Sequence, residues 1–105
     1  MMTKQVEAWL TEQFGGDRET MDMIYGEYLT ATADQLEKGR AARAAGDYPL
    51  LDRIAHTLKG NALMVGDQLS ADAAIALRDA SKISDGAAAD QALETLAKLD
   101  ASNRA

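Results

Sequence analysis

The sequence predicts an all-α protein, an antiparallel up-and-down four-helix bundle with a short extra N-terminal helix. Three observations carry this. The 105 residues include 21 Ala and 12 Leu but only 2 Val, 1 Phe and 1 Pro, a mix that favours helix over sheet. Apolar residues recur at three- and four-residue steps along most of the chain. Short stop-and-start signals interrupt them at Gly15-Gly16-Asp17, Gly46-Asp47, Gly66-Asp67 and Ser84-Asp85. Helices joined by turns this short become antiparallel neighbours. The large aliphatic set is thin, so much of the core has to be alanine, with helices packed close together.

Thr3 is placed to cap a first short helix over residues 3–14, with Val6, Trp9, Leu10 and Phe14 on one side. Gly15-Gly16 ends it, because glycine adopts the left-handed C-cap conformation cheaply. Asp17 is an N-cap candidate for a longer second helix, whose stripe reads Met21, Tyr25, Tyr28, Thr32 and Leu36, widened by Ile24 and Leu29. Gly26 and Gly39 weaken it locally, and a bend is expected near Gly39. Asp47 caps the third helix and Pro49 fits its first turn, where no intrahelical N–H is needed. Leu51, Ile54, Leu58, Ala62 and Val65 form its inner row. Asp67 restarts a fourth helix, with Leu69, Ala73, Ala76, Ala80 and Ile83 expected inward and Leu77 beside them. Ser84-Asp85 opens a fifth with Ala89, Leu93, Leu96 and Leu99, and the final Ala-Ser-Asn-Arg-Ala is expected to fray. The bundle covers about residues 17–100 of a single domain, 1–105.

Composition excludes several classes. Without cysteine there are no disulfides and no thiolate metal sites. A net charge of −6 disfavours nucleic acid and anionic membrane as partners. No basic segment followed by an apolar run opens the chain, and no apolar stretch spans a bilayer, so a soluble cytoplasmic protein is expected. The P-loop and the kinase glycine-rich loop are both missing, so ATP chemistry is not expected from this chain.

One residue stands apart. His56 is the only histidine, and at about 100° per residue it lies about 160° around the helix from both Ile54 and Leu58. It therefore faces away from the core. The same rotation places Asp52, Arg53, Lys59, Gly60, Leu63 and Asp67 within about 60° of it. A histidine with no second His or Cys nearby is a poor metal site. Gly60 costs helix stability on the outer face, where its missing side chain clears space beside the imidazole. Lys59, one turn on, brings a cation. An exposed imidazole, a cation and a gap make a small site for a phosphoryl group.

Those residues carry a family likeness. The stretch from Ala55 to Leu69, AHTLKGNALMVGDQL, resembles the histidine phosphotransfer (HPt) domain of phosphorelays. His56, Leu58, Lys59, Gly60, Ala62, Val65 and Gly66 fall on that family's pattern, with Asn61 replacing the more usual Ser or Ala. The preceding alanine-rich helix end and Gly-Asp turn fit as well, so the likeness covers most of the chain from Asp17 onward. Leu77-Arg78 departs from it, because the family often has Leu-Glu there, and no role is assigned at that point.

The resemblance implies that His56 is phosphorylated by a receiver-domain aspartyl phosphate and passes the group to another receiver, with Nε2 as the expected attacking nitrogen. Lys59 would offset phosphoryl charge and Gly60 would give steric clearance. Leu63, Asp52, Arg53, Met64 and Asp67 are the candidate partner-binding residues. Asp52 is also placed to orient the ring through the other nitrogen, although a plain solvated carboxylate is the better reading of it. The chain itself needs no cofactor, and Mg²⁺ is expected on the partner. Partners would be receiver domains of response regulators and of hybrid histidine kinases, met by a monomer. The alternative is a non-catalytic helical adaptor that binds a kinase or receiver without carrying phosphate.

Overall fold

Each helix starts on a side-chain cap. In the computed structural model, which describes all residues from Met1 to Ala105, the Thr3 hydroxyl accepts from the Val6 N–H at the head of α1 (Lys4–Phe14). Asp17, Asp47, Asp67 and Asp85 do the same, each accepting from the N–H three residues on, for α2 (Arg18–Ala44), α3 (Tyr48–Met64), α4 (Gln68–Lys82) and α5 (Gly86–Arg104). Such a cap satisfies one of the N–H groups that a helix start leaves unpaired.

The same aspartates also close the preceding helices. The N–H groups of Asp47, Asp67 and Asp85 donate to the carbonyls of Ala42, Ala62 and Ala80, each at 2.9 Å. The residue before each aspartate is left-handed, at φ 67° for Gly46, 72° for Gly66 and 54° for Ser84. This is the Schellman closure. A turn in which one residue ends a helix and caps the next leaves no slack, so the following helix folds straight back.

The result is a closed ring of four helices. α2 packs against α3 and α5, α4 packs against α3 and α5, and α1 lies on α2. The molecule measures 43 × 19 × 18 Å. One buried cluster joins Leu36, Leu51, Ile54, Leu58, Leu77, Leu93 and Leu96 with seven alanines. A second, at the α1 end, joins Val6, Leu10, Met21, Tyr25, Tyr28, Ala62, Val65 and Ala71. No helix is long and apolar enough to cross a membrane.

Several expectations need correction. The role expected for Gly39 as a weak point changes, since α2 runs through it without a break. A Cβ at Gly39 would sit 3.3 Å from Leu93 Cδ2 and 3.6 Å from Ile54 Cγ2, so this glycine lets three helices approach closely. In α4 the buried row is Ser70, Ala71, Ala73, Ala74, Leu77, Ala80 and Ser81, while Leu69 and Ile83 are 62% and 74% exposed and Ala76 faces solvent. Ala73, Leu77 and Ala80 are buried as expected, but close packing selects small side chains here and leaves the bulkier Leu69 and Ile83 outside. Trp9 and Phe14 are also partly outside, 39% and 40% exposed, leaving Val6 and Leu10 as the buried residues of α1.

The C-terminal segment does not fray. α5 runs to Arg104, and Asn103 is buried with its Nδ2 donating to Asp67 Oδ2 at 3.1 Å. The same oxygen accepts from the Tyr28 hydroxyl at 2.7 Å and from Ser70 Oγ at 2.8 Å. Asp67 is therefore an interior tie between α2, α4 and α5.

Candidate functional site

α3 supplies the site because its inner row is complete. Leu51, Ile54, Ala55, Leu58 and Ala62 are all buried, which fixes the rotation of the helix and turns the opposite face outward. His56 is exposed on that face. Lys59 and Gly60 are half-buried one turn along, and Lys59 forms no ion pair. Nothing lies within 4 Å of a Cβ built on Gly60. Gly39 shows what a packing glycine looks like in this fold, and Gly60 is its opposite, facing open space.

The ring of His56 has one close polar neighbour, and it comes from α4. Arg78 Nη1 lies 3.3 Å from His56 Nδ1, and Arg78 Nε lies 3.2 Å from Asp52 Oδ1. Asp52 therefore does not orient the imidazole directly. It holds Arg78, which stands between them. With Nδ1 occupied, Nε2 is the ring nitrogen left without a partner in the protein.

The other candidates divide. Leu63 and Met64 are 45% and 74% exposed, as a docking contact requires. Arg53 is exposed but lies on the α2 side, lining a groove with Gln35, Lys38 and Thr57. Asp67 is not on this surface at all. It is only 6% exposed. The rotation that placed it beside His56 assumes an unbroken helix, whereas α3 ends at Met64 and the left-handed Gly66 turns Asp67 into the bundle.

An apolar cleft adjoins the site, lined by Phe14, Ile24, Tyr28, Asn61, Met64 and Val65. Trp9 reaches one of these residues, its Nε1 donating to the Met64 carbonyl at 3.3 Å. Its ring lies so near Gly66 that a Cβ there would come within 2.5 Å of Trp9 Cβ and Cγ. Ile75, one turn before Arg78 on α4, is 41% exposed. Sequence reasoning missed Arg78, Ile75 and the outward placement of Trp9 and Phe14. The one available signal was the departure at Leu77-Arg78, on the helix that follows α3.

Charge perturbation lies elsewhere. Burial, helped by the Asp67 carboxylate, pushes Tyr25 up to about 12 and Tyr28 higher still. Both are neutral hydroxyl donors in the interior. No group of three or more His, Cys, Asp or Glu side chains gathers to hold a metal ion.

Residues 23–102 match the family model of the Hpt domain. The match runs from the first turns of α2 nearly to the end of α5 and includes every residue around His56, leaving α1 outside. No curated protein and no solved structure matches the chain.

Proposed function

The chain belongs to the Hpt domain family, and on that premise we propose that it is a phosphorelay intermediate that takes a phosphoryl group from one receiver domain onto His56 and gives it to another. The observation that carries the assignment to His56 is its exposure beside an unpaired Lys59 and the open space over Gly60. That combination serves no packing purpose in the bundle.

The chemistry follows from the site. The Nε2 lone pair forms a bond to phosphorus while the P–O bond of the aspartyl phosphate breaks, its electron pair staying on the carboxylate. Transition states of this kind are loose, so the work is positioning and charge neutralisation. Lys59 supplies a cation one turn away. Gly60 leaves room for the three phosphoryl oxygens and for the rim of the partner's pocket. Mg²⁺ belongs to that pocket.

Docking falls to Leu63 and Met64 on the outward side of α3, with Phe14 across the cleft from Met64 and Asp52 at the polar edge. Exposed apolar side chains clustered at a reactive residue suit a partner that must bind, react and leave. The family match and this surface support receiver domains as partners.

The direct test is incubation with a phosphorylated receiver domain. The chain should gain an acid-labile, base-stable label that His56→Gln does not acquire. A folded His56→Gln variant that labels like the wild type would overturn the assignment. Binding of receivers without any label in the wild type would favour the adaptor reading.

A further inference from the structure

Arg78 makes a demand on the ring it touches. A guanidinium carries five N–H donors and no acceptor. Its 3.3 Å contact with His56 Nδ1 is therefore a hydrogen bond only when Nδ1 carries no proton. In a neutral imidazole the single ring proton is then on Nε2. Asp52 Oδ1 holds Arg78 Nε at 3.2 Å, and both side chains are about two-thirds covered, so the guanidinium is anchored where it stands.

We propose that Arg78 is a positioning residue that favours the phosphorylated histidine over the attacking one. The proposal rests on the reading of His56 as the phosphoryl carrier. To attack, Nε2 needs its lone pair free, so the ring proton must sit on Nδ1, which breaks the bond from Arg78. Attack forms the Nε2–P bond, breaks the P–O bond of the aspartyl phosphate and leaves a ring cation with its proton on Nδ1. Loss of that proton to water gives a phosphohistidine whose ring is neutral and whose Nδ1 is unprotonated, the phosphoryl oxygens keeping their negative charge. This is the form to which Arg78 donates.

Release runs the other way. The imidazole departs as a neutral molecule only after Nδ1 regains a proton, since otherwise an imidazolate must leave. Arg78 opposes that protonation. It slows both hydrolysis and onward transfer, and makes the chain a store of phosphoryl groups rather than a fast shuttle. Asp52 acts through Arg78 by keeping the guanidinium against the ring.

The test uses ¹⁵N NMR of the imidazole on the unphosphorylated chain, and decay of phosphohistidine after chemical phosphorylation with phosphoramidate. The wild type should show an unprotonated Nδ1 and a protonated Nε2. Arg78→Gln, whose amide oxygen accepts from Nδ1–H, should move the ring toward the Nδ1–H form and shorten the phosphohistidine half-life roughly fivefold, the effect of one exposed hydrogen bond. Arg78→Lys, which can only donate, should stay close to the wild type in both. A wild-type ring protonated on Nδ1, an unchanged half-life in Arg78→Gln, or an Arg78→Lys variant that behaves like Arg78→Gln would overturn the proposal. The NMR arm needs no phosphorylation and tests the tautomer on which the proposal stands, while the half-life tests its consequence. Phosphoramidate needs no receiver, so these outcomes are separate from a failure of the relay reading, which shows only in labelling by receivers.

Discussion

At the residue scale the site turns on what is missing from α3. A glycine in a helix interior costs about 1 kcal/mol relative to alanine, and at Gly60 no neighbour recovers that cost, because the space above it is open. Stability and function should therefore separate there. Gly60→Ala is expected to raise stability by about 0.5–1 kcal/mol in chemical denaturation. Gly60→Leu should slow phosphoryl transfer roughly tenfold or more, since small displacements of reacting groups are costly. A Gly60→Leu variant that transfers at the wild-type rate would remove the steric role. The outward position of His56, Lys59 and Gly60 could be read from helix rotation alone. Arg78 could not, because its contact with His56 is fixed by how α4 lies against α3, and rotation within one helix carries no such information.

At the element scale the turns decide the fold. Three successive turns use one aspartate both to close a helix and to cap the next, yet one of them lacks the glycine that suits its left-handed position. Ser84 sits at φ 54°, where a side chain costs about 1 kcal/mol or more. Ser84→Gly should raise the unfolding midpoint, by up to about 1 kcal/mol in stability, with no effect on transfer. Gly66 is the opposite case, because its φ is 72° and Trp9 lies against it. Gly66→Ala should cost about 2 kcal/mol or more and loosen α1, seen as a red shift of fluorescence from the single tryptophan. Helix starts were readable because capping chemistry is local. The α4 stripe was readable only at Ala73, Leu77 and Ala80, because a ring of close helices buries Ser70, Ala74 and Ser81 in preference to Leu69 and Ile83.

At the scale of the whole molecule, Asp67 ties the ends of the bundle together. It receives hydrogen bonds from Tyr28 on α2, Ser70 on α4 and Asn103 on α5. None of this is visible along the chain, where Asp67 reads as one more helix cap and Asn103 as part of a loose tail. The network also gives the fold an alkaline limit. Tyr25 and Tyr28 ionise above the usual value of 10.0 in the folded protein, because of burial first and the Asp67 carboxylate next. The unfolded chain loses these protons near pH 10 while the folded chain keeps them. Stability from this source is thus complete below about pH 10 and falls as pH rises through 10 toward 12. Denaturant midpoints measured across that interval should drop in the wild type and drop less in Tyr28→Phe.

On the relay reading, phosphate passes through His56 between receivers. The most direct measurement places one phosphorylated receiver, a second unphosphorylated receiver and this chain together, and follows the label with time. The account predicts that label appears on the chain and then on the second receiver, and that neither transfer occurs when His56→Gln replaces the wild type. Equal movement of label with His56→Gln present, or none to the wild-type chain from any receiver of its host, would contradict it.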